Sequence, residues 1–150
     1  MSLNDPQRTE SPMPAEQDIE VALRWADMDA NRHVNNVEFF RILEEARARW
    51  FPTTGDGASL LASGIVVASQ GLDYAMPLSY RHEPVLVGLR VTRVGTSSFT
   101  LSCRIHDASA DSDDRVYAAG NVVMVAVDDE AGRSRPFTVQ ERSWLESLSR

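Results

Sequence analysis

The chain has 150 residues, 43% of them apolar and 25% charged, with a formal net charge of −7. That is the size of one domain and the balance of a globular protein, and the acidic surplus argues against nucleic acid as a partner, because counterion release needs a basic face. A single cysteine, Cys103, excludes an intrachain disulfide framework and suits a reducing compartment; with no signal-peptide pattern and no apolar stretch of about 18 residues to span a membrane, the expected location is the cytoplasm.

Residues 1–17 carry Pro6, Pro12 and Pro14 among polar residues without apolar periodicity, which predicts a disordered leader; residues 18–150 read as one domain. Ile19, Val21, Leu23 and Trp25 alternate with Glu20, Ala22 and Arg24, the pattern of a half-buried strand from Ile19 to Trp25. Val37 to Phe51 contains neither glycine nor proline. Its apolar stripe runs through positions 37, 40, 43, 46, 47 (Arg47 by its stem) and 50, and is widened by Phe39, Ile42 and Phe51. Such a stripe is too broad for a helix lying on one flat surface and predicts a helix partly enclosed by a sheet. Asn35 or Asn36 is the expected N-cap, Glu38 complements the positive end of the helix dipole, and Pro52 and Gly55 stop the helix.

Thr53 to Gly64 reads as a loop. Four strand-like runs follow, Ile65 to Tyr74, Val85 to Val94, Ser98 to Asp107 and Arg115 to Val127, with short turns at Gly95 to Ser97 and Asp111 to Asp114. Long strands joined by short polar turns predict an antiparallel meander. Asp128 to Arg135 reads as a terminal turn and Thr138 to Leu148 as a short helix.

The chemistry concentrates between the first strand and the long helix, from Asp27 to Glu38. Numbered as a calcium loop from Asp27, the residues Asp29, Asn31, Asn35 and Glu38 fall at ligand positions, but Arg32 occupies the position that needs glycine, and a strand precedes the loop where an EF-hand has a helix. Asp27, Asp29 and His33 are also the ligand types of a facial metal triad; His82 and His106, in or beside strands, show no ligand spacing. Read only as turn formers and helix caps, the Asp and Asn residues need no ligand. No metal is expected. Cys103, among apolar neighbours in a strand, reads as a core residue.

The segment RWADMDANRHVNNVEFFRILEEAR resembles the start of a hot-dog-fold thioesterase of the 4-hydroxybenzoyl-CoA thioesterase-like family, with its Asp-x-Asp-x-x-Gly-His-Val-x-Asn-like turn before a central helix. Asp29 to His33 followed by Val34-Asn35-Asn36 is also similar to the second hot-dog repeat of plant acyl-ACP thioesterases, and the element order extends the resemblance from residue 18 to about 130. Arg32 departs from the pattern, standing where many relatives have glycine. The resemblance implies an α+β hot-dog fold, a long central helix wrapped by a five-stranded antiparallel sheet. It implies hydrolysis of an acyl-CoA or acyl-carrier-protein thioester, with no cofactor other than the coenzyme A of the substrate, by a homodimer or homotetramer.

Asp29 then matches the catalytic carboxylate, and Asn31 and His33 the additional polar residues. The backbone amides of Asn35, Asn36 and Val37, at the positive end of the helix, are the expected oxyanion donors. Glu44 is a candidate for the acyl pocket, with an ion pair to Arg47 or Arg41 as the plainer reading. Arg90 and Arg93, with Arg104, are candidates for the phosphates of coenzyme A. Two other functions fit the same fold, a 3-hydroxyacyl thioester dehydratase and a non-catalytic acyl-CoA binding module. Dehydratases usually carry the carboxylate on the helix and the histidine elsewhere, whereas here Asp29 and His33 share one turn.

Overall fold

In the computed structural model, which describes residues 16–52, 55–107, 115–128 and 130–150, the glycine-free run forms helix α1, Asn36–Trp50. The Asn35 side chain accepts from the Val37 amide and caps the helix, and Phe51, extended ahead of Pro52, ends it. Phe39, Ile42, Leu43, Ala46 and Trp50 are buried, as the stripe predicts. Val37 is not: it is 66% exposed. Helical spacing turns it about 180° away from Ala46, so its apolar character has no core to meet.

Five antiparallel strands pack against α1: β1 Gln17–Val21, β2 Ile65–Tyr74, β3 Val85–Val94, β4 Ser98–His106 and β5 Val116–Asp128. Their spatial order is β1-β3-β4-β5-β2, and a two-residue β6, Arg133–Ser134, pairs with the end of β5 inside the segment read as a terminal turn. This is the α+β, hot-dog arrangement that the sequence implies. β3, β4 and β5 form the expected meander, but β2 does not join it in sequence order. It lies beyond β5 at the sheet edge, because the connection through Pro77 and Pro84 carries the chain across to β3, next to β1.

The first strand differs from its reading in both limits. It begins at Gln17, inside the segment expected to be a leader, and leaves the ladder at Val21, opposite Val85. Trp25–Asp27 then make a 3-10 turn, in which the period of two is lost. Leu23 is still buried, but Trp25 is 71% exposed. Residues 1–15 of the expected leader and the turn expected at 111–114 lie outside the described residues.

The segment read as a loop contains helix α2, Gly55–Ala62, which packs against α3, Val139–Leu148. A capping box starts α3: Thr138 Oγ1 accepts from the Glu141 amide, and Glu141 accepts from the Thr138 amide. Leu60 and Leu145 are fully buried, and Trp50 meets Trp144 at 5.4 Å and Phe51 at 5.1 Å between ring centroids. Glycine in α2 serves close approach, since a Cβ on Gly57 would stand 2.6 Å from both the Pro52 ring and the Trp144 indole. Among the described residues no helix is long and apolar enough to cross a membrane.

Helix propensity alone would make Gly57→Ala stabilising by up to about 1 kcal/mol. The collision reverses the sign, and the variant should be destabilised by about 1–3 kcal/mol, read as a lower urea midpoint at unchanged m.

Candidate active site

The turn is built around a buried carboxylate. Asp27 has no exposed surface. Its oxygens accept from the Arg24 amide at 2.8 Å, Arg24 Nε at 3.0 Å and Arg41 Nη2 at 2.6 Å, and its carbonyl accepts from the Asn35 amide at 2.9 Å. One residue thus ties the end of the first strand segment to the first turns of α1. Burial pushes the Asp27 carboxyl upward, but the Arg24 amide, the Arg24 guanidinium and the charge of Arg41 outweigh it and hold the group below the ordinary value of 3.8. Its role is structural: three donors, two of them on cationic side chains, occupy its oxygens and disfavour a cation there.

Between Met28 and Val34, which form an isolated antiparallel bridge, the chain makes a tight loop closed by Asp29 N to His33 O at 3.0 Å. Asp29 Oδ1 accepts from the Asn31 amide at 2.8 Å, and Oδ2 accepts from Asn35 Nδ2 at 3.2 Å. Because the Oδ1 of the same Asn35 caps α1, a single amide side chain joins the carboxylate to the helix start. Arg32 sits at φ 60, the left-handed region that favours glycine. The turn keeps that backbone shape even though a guanidinium-bearing residue occupies the position.

The amides expected to be open at the helix start are reduced to one. Asn35 N bonds Asp27 O and Val37 N bonds Asn35 Oδ1, so of the three only Asn36 N has no hydrogen-bond partner among the described residues. The loss is a direct result of good capping. Tyr74, at the end of β2, donates its hydroxyl to Asn36 O at 2.9 Å and meets Phe39 edge-on at 5.2 Å, which fixes this first turn against the sheet. Tyr74 stands within the GLDYAMPL segment that contributes to the resemblance; no motif pointed to its hydroxyl.

Two cavities flank the turn. One of about 520 Å³ is lined by Trp25, Met28, Asp29, Arg32, Ser79 and Tyr80. The other, of about 340 Å³, is lined by His33 and Asn36 with Phe39, Tyr74, Met76 and Leu78 among its walls. The carboxylate therefore opens to one side and the histidine with the open amide to the other. The His33 side chain is half-buried with no hydrogen-bond partner among the described residues, and the Asn31 side chain is exposed.

The remaining candidates lie apart from the turn. Glu44 is exposed and lines neither cavity; Arg41 pairs with Asp27, Glu38 and Glu45 instead of Glu44. Arg47 points inward, where burial lowers its pKa against the opposing charge of Glu44. Arg90 alternates with the buried Leu89 and Val91, so it projects from the outer face of the sheet, into a separate cavity of about 350 Å³ with Asp73, Ser102, Arg104 and Asn121. Arg93 is exposed beside a bulge in β3. Within one chain neither arginine meets Asp29. Cys103 is buried, and that burial pushes its thiol up to about 11, which leaves it unreactive.

Residues 23–145 match the family model of the thioesterase-like superfamily. Among solved structures, PA2801 of Pseudomonas aeruginosa, a candidate thioesterase, is 34% identical, with 89% of this chain and 98% of that chain covered at a TM-score of 0.70. A candidate acyl-CoA thioesterase from Xanthomonas campestris is 33% identical over 81% of this chain and 98% of that one, with a TM-score of 0.65. A thioesterase from Thermus thermophilus, complexed with coenzyme A and zinc, is 28% identical over 88% and 93%, with a TM-score of 0.72.

The depressed carboxyl of Asp27 has a pH consequence. A group whose folded pKa lies below its unfolded value contributes stability that is present above the unfolded pKa and lost as pH falls through the folded one. Asp107 and Glu141 are lowered in the same sense: for Asp107 burial opposes the Arg81 and Tyr117 hydrogen bonds and loses to them, and for Glu141 the Arg135 hydrogen bond leads. Melting temperature should hold from neutral pH to about pH 5 and fall steeply below about pH 4. Asp27→Asn should be less stable at neutral pH, with a shallower acid limb.

Proposed function

This chain belongs to the thioesterase-like superfamily, and from that membership we propose that it hydrolyses an acyl-CoA, or an acyl group carried on a carrier protein, to the free acid and thiol. The observation that carries the reading is the Asn35 side chain, which caps α1 with one atom and holds Asp29 with the other, beside the open Asn36 amide. The coenzyme A bound to the Thermus thermophilus relative supports a CoA-type substrate. The reaction needs no cofactor of its own, and the lone buried cysteine suits the reducing cytoplasm.

In this mechanism the thioester carbonyl sits over the tip of the turn, within reach of both cavities. Asn36 N–H and the positive end of α1 hold the negative charge that develops on the carbonyl oxygen. The Asp29 carboxylate either attacks the carbonyl carbon, expelling the thiolate and leaving an anhydride that water opens, or takes a proton from a water that attacks instead. Asn31 orients that water. His33, whose side chain has no partner among the described residues, carries a proton to the departing sulfur.

A thiol-release assay over acyl-CoA and acyl-carrier substrates tests the reading, with alkene formation marking a dehydratase. Asp29→Asn keeps the side chain's size and, through its oxygen, the bond from the Asn31 amide, but removes the charge and the acceptor that faces Asn35 Nδ2; turnover should drop by about a hundredfold or more with KM nearly unchanged. Normal turnover in a folded Asp29→Asn variant would show that the carboxylate only shapes the turn. Asn36 occupies the first helical position, where proline is well tolerated, and Asn35 before it has φ −62 and ψ 141, which suits a following proline. Asn36→Pro should therefore leave the helix intact, yet lower kcat by about 10²–10³ relative to Asn36→Ala, which keeps the N–H.

The assembly is a homodimer, or a tetramer built from such dimers. Among the described residues β2 pairs only with β5, and this edge strand carries exposed Val66 and Val67, followed by exposed Tyr74 and Met76, which also wall the His33 cavity. A second copy against this edge covers the apolar groups and completes that wall. Sedimentation should give a dimer or tetramer at working concentrations; a fully active monomer would overturn it.

A further inference from the structure

Away from the turn, His106 ends β4 and is 5% exposed. Its Nδ1 lies 2.9 Å from the Asp107 carbonyl oxygen, which can only accept, so Nδ1 carries a proton. In the neutral ring Nε2 is left with a lone pair. It faces Asp18 Oδ1 at 2.9 Å and Glu16 Oε1 at 3.9 Å. Electron pairs aimed at one another in this way repel unless a proton or a metal ion lies between them, and the three donor atoms all fall within 4.8 Å of one another, the spacing of a metal site. We propose that Glu16, Asp18 and His106 form a binding site for a divalent transition-metal ion that clamps β1 to β4 across β3.

The ring's other nitrogen supports this assignment. Metal-binding histidines characteristically donate the second N–H to a backbone carbonyl or carboxylate, which fixes the tautomer and turns the free nitrogen toward the ion. Imidazole with two carboxylates suits zinc, cobalt or manganese better than calcium or magnesium, which favour all-oxygen shells. Donors around an ion with bonds of about 2.0–2.2 Å stand about 3 Å apart. The Asp18 contact at 2.9 Å already meets that spacing, and the Glu16 oxygen, 3.9 Å from Nε2, has to move inward to reach it. Room for Glu16 comes from Gly88, in register between Asp18 and Arg104, where any Cβ would collide with the Glu16 carboxyl.

Arg104 opposes the ion. Its Nε lies 2.8 Å and 3.0 Å from the two Glu16 oxygens, so metal and guanidinium compete for one carboxylate. None of the three ligand residues lines either cavity at the turn. Occupancy therefore reads out in stability, by joining residues 88 apart in sequence.

The test uses the full chain, freed of metal with a chelator and titrated with Co²⁺, whose visible absorption reports its ligands, and with Zn²⁺ or Mn²⁺ in thermal melts. One ion should bind per chain, and Tm should rise on the order of 5–10 °C at about a hundredfold excess over Kd. His106→Gln and Asp18→Asn should abolish both signals; Asp18 is exposed, so its variant folds even if the histidine variant does not. Arg104→Gln should bind Co²⁺ severalfold more tightly, whereas a pure ion-pair network would only lose stability. The proposal is overturned by an absent band and shift at millimolar ion, by a shift that persists in Asp18→Asn, or by a Tm that follows pH at this cluster and ignores metal.

Discussion

Everything at the tip of the molecule depends on removing one negative charge from water. A carboxylate as enclosed as that of Asp27 is tolerated only when its oxygens are filled with donors, and Arg24 and Arg41 fill them from two different elements. The cost of leaving either arginine out is an uncompensated buried charge, so strand end and helix cannot drift apart independently. The pairs of Arg41 with half-buried Glu38 and exposed Glu45 add less by comparison, since solvent reaches and screens them.

From that anchor the geometry passes to Asn35. Its amide nitrogen is spent on Asp27, its Oδ1 on the helix cap, and its Nδ2 on Asp29. The two side-chain hydrogen bonds, one accepted from a backbone N–H and one donated to a carboxylate, assign its oxygen and nitrogen, and the third bond holds its backbone. The same saturation explains why the helix start offers one open amide and not three: a well-made cap consumes donors that a ligand would otherwise meet. Arg32 keeps the loop tight at a backbone angle usually given to glycine, and its side chain joins the wall of the Asp29 cavity.

Stability and openness are divided across the sheet. The inner face of β3 and β4 is sealed by Val87, Leu89, Leu101 and Ile105, and the α2–α3 pair closes the end near Trp50 and Phe99 through glycine-permitted contact with Trp144. β2 is the opposite case, exposed along most of its length and bound on one side only. The cavity at the helix start borders this least protected strand, a common association of binding sites with regions of low local stability.

Local signals were legible because they are local. The strand-like runs located β2 and β3 to the residue, the apolar period located α1 within one residue at each end, and Thr138 to Leu148 was legible as the last helix. The Asx-rich turn, with Asp29, Asn31, His33 and the Asn35 cap, was legible for the same reason: turn and cap chemistry is decided by neighbours in sequence. α2 was hidden because Gly55 and Gly57 carry the signature of a loop, while the reason for Gly57 is an indole from the far end of the chain. The exposure of Trp25, the edge position of β2, the occupation of two of three amides and the meeting of His106 with Asp18 left no trace in any short window. The sequence by itself determined which segments fold and where polar groups crowd. Only the tertiary structure decided which strands lie side by side, which donors are already spent and which distant charges share a point, because those depend on contacts whose partners are tens of residues apart.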